Sequence, residues 1–422
     1  MEREGAPGPA AAARPRIVIA LYADLTHDRR VQREAVTLSE AGYAVTILAL
    51  GDPRAETMEL VEGIDVFGWN PTASEVVPGA WSPFRPEEAG SSADSGNRSR
   101  LGWAVGYGRN LRSWGRWAME VAGEPDMWHA VDFTGLVGLW TADRSTGWRC
   151  VYDSHELFLE SGSAARMPQP MRWLLARLEG RLARRAAGVV TVNDSIARQL
   201  AGRYGVDPVV VMNCPLVADV VRPGRLRERL ALGDRPVLLH HGSLSDGRGI
   251  ANTVDALRLL PKEVALVLLG DGPLVPWIQA QQRCPELVGR LYHNPAVPLS
   301  ELLSWVVDAD VGVMLFEPSE LNFMLATPNR LFDCIAAGVP VLASDFPEFR
   351  GILVGGGIGD VCDPTDPGRI AEAMDRLLAS PERRAAMSTR ARAAARATYN
   401  WDAQALSMVE LYRRILPVTT AE

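Results

Sequence analysis

The chain has 422 residues, 47% hydrophobic and 23% charged, with a formal net charge of −7. That is enough for two domains of roughly 200 residues, each with its own core, and the acidic balance argues against a general nucleic-acid binder, which carries a basic excess. No apolar run approaches the roughly 20 residues that span a bilayer, and the five cysteines (Cys150, Cys214, Cys284, Cys334, Cys362) show neither metal-ligand spacing nor a disulfide framework, so a reducing cytoplasm is the default location.

Residues 1–14 are rich in Ala, Pro and Gly without a secretory apolar core, and read as a disordered leader. A first domain over 15–215 begins with a buried strand at 17–22, a helix at 28–41 stopped by Gly42, a strand at 44–50 and a short strand at 64–67. Residues 71–101, dense in Pro, Ser, Gly and acids, read as a mobile loop. Helical patterns at 101–121 and 171–187 bracket strand ends at His129 and His155; another strand follows at 188–192, and Asn213-Cys214-Pro215 closes a last one. A second domain over 216–400 has strands at 236–241 and 264–269, and a final helix spans 401–416. Alternation of this kind predicts an α/β fold with two Rossmann-like domains, parallel sheets covered by helices on both faces. Ligands then bind outside the carboxyl ends of the strands.

Three strand ends in the second domain carry phosphate-binding chemistry. After residues 236–241 comes Gly242-Ser243-Leu244-Ser245-Asp246-Gly247-Arg248-Gly249, a glycine-rich turn before a helix that starts at Ile250, with Arg248 as a permanent cation. The strand at 264–269 ends in Gly270-Asp271-Gly272-Pro273, where glycines allow close approach to backbone. Thr327-Pro328-Asn329-Arg330-Leu331-Phe332-Asp333 then reads as a helix start, with Thr327 as N-cap, Pro328 first in the helix and Gly338 as C-cap. Asn329 and Asp333 share a face, so one helix can hold a diphosphate at its start and offer a carboxylate to a ribose one turn on. Spacing alone leaves an ordinary capped helix equally open.

These motifs, in this order and followed by Ala336-Ala337-Gly338-Val339-Pro340-Val341, resemble the C-terminal half of retaining glycosyltransferases of family 4, which have the GT-B fold. In the N-terminal half His27-Asp28-Arg29-Arg30, Trp128-His129-Ala130-Val131-Asp132, Val151-Tyr152-Asp153-Ser154-His155-Glu156 and Tyr399-Asn400-Trp401-Asp402 are similar to family segments, so the likeness runs from about Arg16 to Leu416. It implies a nucleoside-diphosphate sugar as donor substrate, a central cleft, no cofactor or metal, and a last helix that crosses back to the first domain. It also implies that His155 faces the donor sugar and that Arg248, Gly242, Ser243, Thr327 and Asn329 hold the diphosphate. Asp333 would hold the ribose, and His129, Asp132, Glu156 and Arg30 would lie on the sugar or acceptor side. The chain departs from the family at Ser243, where a second basic residue is usual, at Leu325, where an acid is usual, and at Val131, where a histidine is usual. Arg330 and Arg30 are candidates for the missing charge, although Arg330 reads first as a solvated helix residue. Glu317 and Glu320 read first as loop surface.

The stretch Arg109-Asn110-Leu111-Arg112-Ser113-Trp114-Gly115-Arg116-Trp117 reads as a helix with core tryptophans and solvated arginines; a membrane or sugar surface is the alternative. A transferase with a small polar acceptor is the favoured expectation. A peripheral membrane transferase for a lipid or lipid-linked sugar stays open, as does an epimerase or non-catalytic binder on the same fold. The sequence does not give the base, the sugar, the acceptor atom or the oligomeric state.

Overall fold

The computed structural model describes residues 14–51, 63–70, 100–143, 149–216 and 223–418. The expected leader and the expected mobile loop lie outside these residues except at their last positions, where Arg100 and Leu101 already belong to a helix, Arg100–Ala122.

Seven parallel strands form the first sheet: Arg16–Asp24 (β1), Ala44–Leu50 (β2), Asp65–Trp69 (β3), Met127–Val131 (β4), Cys150–Ser154 (β5), Gly188–Thr191 (β6) and Val209–Val210 (β7), in the order β3-β2-β1-β4-β5-β6-β7. Six more form the second: Val237–His241 (β8), Ala265–Leu269 (β9), Leu291–Asn294 (β10), Val311–Met314 (β11), Val341–Ser344 (β12) and Gly359–Cys362 (β13), in the order β10-β9-β8-β11-β12-β13. The central strands are near-continuous apolar runs, such as Ile17-Val18-Ile19-Ala20-Leu21, because helices bury both sheet faces. In each sheet the strand order reverses beside its first strand, between β1 and β4 and between β8 and β11, and a ligand crevice is expected at such a point. The strand expected to close at Asn213-Cys214-Pro215 is only the two-residue β7; residues 211–216 continue as irregular chain.

One face of the first sheet packs on the Arg29–Glu40 helix and on the last helix, Trp401–Ile415, whose Trp401, Met408, Leu411 and Tyr412 share a core with Ile17, Ile19 and Ile47. Trp401 Nε1 donates to Thr37 Oγ1 at 2.9 Å, and Tyr43 Oη donates to the Leu416 carbonyl at 2.8 Å. The C-terminal segment thus ties the two sheets into one molecule. The opposite face is covered by Arg100–Ala122, Asp132–Ala142, Gln169–Ala183 and Asp194–Tyr204. Trp114 is fully buried there, edge-on to Tyr22 at 5.3 Å, while Arg109, Arg112 and Arg116 are exposed, as the core-packing expectation has it. All five cysteines are free thiols. No helix among the described residues is long and apolar enough to cross a membrane.

Candidate active site in the interdomain cleft

The wall from the first domain rests on a buried ionic network. Arg30, on the first helix, is 1% exposed and donates from Nε (3.1 Å) and Nη2 (3.0 Å) to the two carboxylate oxygens of Asp153 at the end of β5. Its Nε also lies 2.9 Å from Glu34, one turn on. His129 of β4 is fully buried, with Nδ1 2.7 Å from Tyr412 Oη and Nε2 3.3 Å from Glu34 and 3.5 Å from Asp153. Burial alone would make His129 less basic, but Asp153 and Glu34 overcome it and hold the ring at about 9. Burial alone would raise Asp153, but Arg30 and the two histidines hold it well below the usual carboxylate range. Glu34, His129 and Asp153 form the one trio among the described residues whose donor atoms could surround a metal ion. The Arg30 guanidinium already contacts both of its carboxylates, 2.9 Å from Glu34 and 3.0 Å from Asp153.

His155 stands on this network. Its Nε2 is 2.9 Å from Asp153 Oδ2, its backbone N–H donates to Asp132 Oδ1 at 3.0 Å, and Nδ1 is 3.9 Å from Asp132 Oδ2. Burial would lower its pKa, but the two carboxylates reverse this and hold it at about 10, so the ring is an imidazolium at neutral pH. Asp132 has a φ of 56°, a left-handed conformation that non-glycine residues rarely adopt. Glu156 Oε2 accepts from Ser161 Oγ and from Asn322 Nδ2, both at 3.0 Å, and burial pushes its pKa up.

The opposite wall is cationic. In the turn after β8, Arg248 places its guanidinium 4.8 Å from the Phe316 ring and 5.2 Å from Phe323, with Nε buried and unpartnered. Gly249, at φ 65°, closes that turn against β11; a Cβ there would lie 1.7 Å from the Leu315 carbonyl oxygen. A Cβ on Gly270 would lie 2.0 Å from Gly242 O, so the two glycine-bearing strand ends interlock. Ser243 is exposed, its hydroxyl donating to Ser245 Oγ at 3.2 Å, and brings no charge.

Arg330 overturns the expectation of a solvated residue. It is 7% exposed, lies 4.6 Å from the Phe316 ring, and donates from Nη1 to His240 Nε2 at 2.9 Å. Its Nε and Nη2 are buried without a partner, and no carboxylate among the described residues lies within ion-pair distance. Burial and the Arg248 charge together pull its pKa down to about 9. A single-sequence signal existed: Arg330, Cys334 and Ala337 sit at i, i+4 and i+7 on the face that the helix buries.

Thr327 is not the N-cap. Pro328 is itself extended (φ −69°, ψ 149°), so it is the cap and the helix is Asn329–Ala337. The Thr327 hydroxyl instead accepts from Asn193 Nδ2 across the cleft at 3.1 Å. Gly338 does end the helix, at φ 72°.

Between the walls is a cavity of about 260 Å³, lined by Arg30, His155, Glu156, Arg248, Thr327 and Asn329 among others. Six expected site residues therefore converge. Gly242, Ser243, Asp132, His129 and Asp333 are not part of its lining. His129 is a correction: in a parallel strand buried on both sides it has no route to a ligand, and it supports Asp153 instead. Arg30 is a partial one, since its guanidinium is committed to Asp153 and Glu34. Asp333 is 4% exposed, 3.4 Å from His241 Nε2 and 3.9 Å from Arg29 of the first domain. Glu320 accepts from the Gly162 N–H at 3.0 Å and so bridges the two domains, contrary to the expected loop surface.

Residues 27–216 match the family model described as glycosyl transferase 4-like domain, and residues 235–380 match glycosyl transferases group 1. A D-inositol 3-phosphate glycosyltransferase of Xylanimonas cellulosilytica is 30% identical over 203 residues, 47% of this chain and 47% of that protein. A GDP-mannose-dependent alpha-(1-6)-phosphatidylinositol monomannoside mannosyltransferase of Mycolicibacterium smegmatis is 29% identical over 44% of this chain and 50% of that one. The chain spans about half the length of these curated relatives in its matches. The crystal structure of Anabaena HepE in complex with UDP has a TM-score of 0.69 at 15% identity, covering 95% of this chain and 100% of that one.

Proposed function

Because the chain belongs to the GT-B glycosyltransferases that join a glycosyl transferase 4-like domain to a group 1 domain, we propose that it moves a sugar, with retention, from a nucleoside-diphosphate donor to a small polar acceptor. The observation that carries this reading is the asymmetry of the cavity: Arg248 on one wall, backed by the unpaired Arg330, and the His155 imidazolium on the other. As the donor bond breaks, negative charge grows on the β-phosphate and the sugar becomes oxocarbenium-like. The arginine field meets the first, in a site where burial strengthens it. His155 donates a hydrogen bond to a sugar oxygen and fixes the ring at the moment of transfer. The cavity suits the sugar-diphosphate end of the donor, and Asn329, first in its helix, contributes a backbone N–H unpaired by position. In support, one relative is named for its use of GDP-mannose and one structural neighbour holds UDP. A thermal-shift screen of UDP, GDP and dTDP, followed by an assay for nucleoside diphosphate released with and without acceptors, tests the proposal. No stabilisation by any of the three sinks it.

Arg248→Ala should weaken binding of the preferred nucleoside diphosphate about ten- to a hundredfold, the size of one charge-assisted contact. Calorimetric titration checks this, and unchanged affinity removes Arg248 from the phosphate site. Asp333→Asn should weaken that nucleotide about tenfold while leaving inorganic pyrophosphate within about twofold, because only the nucleotide carries a ribose. Equal loss for both ligands would instead assign Asp333 to holding His241 and Arg29 in place.

A further inference from the structure

The helix Gln169–Ala183 breaks the usual rule for a surface helix. Trp173 is 53% exposed and Leu174 is 61% exposed, side by side on its outer face. The Arg177 guanidinium stacks on the Trp173 ring at 3.8 Å, and Arg181, Arg184 and Arg185 continue along the exposed side. The only acid on this helix, Glu179, is buried and accepts hydrogen bonds from Tyr152 and Tyr204 at 2.8 and 2.7 Å. The Arg100–Ala122 helix covers the same face of the first sheet and exposes Arg109, Arg112 and Arg116. Residues 100–122 and 166–185 together hold ten arginines and two glutamates, in a chain whose net charge is −7. Arg177, Arg181, Arg184 and Arg185 thus make a cationic run along the exposed side of this helix and the residues just after it, in an acidic chain.

We propose that this face docks the protein, peripherally and reversibly, on an anionic phospholipid surface. A convex helix carrying an exposed Trp-Leu pair offers no groove for a peptide, but it suits a flat interface. The indole and leucine enter the boundary between headgroups and acyl chains, and the arginines pair with lipid phosphates. The stacked Arg177 lies where both environments meet. A second copy of the chain is disfavoured as the occupant, since a two-fold contact would set arginine against arginine. Docking would also orient the cleft. Arg172 Nη2 on this helix donates to the Leu159 carbonyl (3.0 Å) and to Glu160 (2.8 Å), in the loop that continues from Glu156 at the cavity.

The test is co-sedimentation of the full chain with vesicles of phosphatidylcholine alone and with about one third phosphatidylglycerol. Binding is expected only to the anionic vesicles, released as salt shortens the screening length. W173A/L174A should lower partitioning about tenfold. R177E/R181E should lower it by at least roughly fivefold per arginine. Both variants are on exposed positions and should keep the melting temperature and nucleotide affinity of the parent. Three results would overturn the proposal: no binding to anionic vesicles, equal binding by parent and variants, or binding only to a soluble polyanion such as heparin. A dimer dissolved by W173A/L174A without any vesicle binding would do so as well. The readout is lipid partitioning, so it stands or falls separately from the proposed transfer reaction.

Discussion

His155→Ala is expected to lower kcat about 10²- to 10³-fold while leaving nucleoside diphosphate affinity within about twofold. The reason lies in where His155 stands. Its ring is held at one edge by Asp153, itself fixed by the two Arg30 hydrogen bonds, and it lines the same cavity as Arg248. In the proposed reaction its N–H holds a sugar oxygen in the arrangement reached at transfer, and an interaction made mainly there shows in kcat more than in binding. The sign of the pH dependence follows. The folded-state pKa, about 10, is raised above the ordinary histidine value, so the stability that protonated His155 contributes is complete below about 6.5 and is lost as pH rises through about 10. Turnover carried by the imidazolium should be flat from about pH 7 to 9 and fall above 10. A folded His155→Ala protein with normal kcat and a lower melting temperature would assign the histidine to structure alone.

What was legible in the chain, and what was not, divides along physical lines. The parallel strands at 17–22, 44–50, 236–241 and 264–269 declared themselves, because a strand covered on both faces is mostly apolar, and β1, β2, β8 and β9 are. The same property hid the orientation of His129. In a doubly buried strand every position is inside, so no alternation separates a residue aimed at a cleft from one aimed at a core. His155 was easier, since it lies one residue past the end of β5, where a parallel sheet opens to ligand. Thr327 was misplaced by one position because Pro328, expected as the first helical residue, is itself extended, and its fixed φ is compatible with either conformation. The supporting contacts of the site, Arg30 with Asp153 and His129 with Tyr412, join positions 123 and 283 residues apart. Such pairings are fixed by the sheet order and the returning C-terminal helix, and no local pattern announces them.

Arg330→Met is expected to raise the melting temperature and at the same time weaken nucleoside diphosphate binding about tenfold or more. The two effects share one cause. Arg330 is buried with two nitrogens unpartnered and no carboxylate within reach, and its nearest charged neighbour in the site is another cation, Arg248. An uncompensated buried charge costs several kcal/mol in the ligand-free protein, and an apolar side chain of similar length removes that cost. Met also keeps the contact with Phe316 and frees two neutral acceptors, the His241 carbonyl and His240 Nε2, whose own pKa burial and Arg330 already hold far down. On the proposed reading, the cation serves the diphosphate of the donor and not stability. It does not line the cavity, so it acts through space and through His240 and the His241 carbonyl, which lead into the Gly242 turn. Melting curves and calorimetric titration of parent and Arg330→Met, with and without nucleotide, separate the outcomes. A variant that melts earlier and binds nucleotide normally would make Arg330 a packing residue. A variant that melts later and binds weakly is the pattern of a protein that keeps a destabilising charge for its ligand.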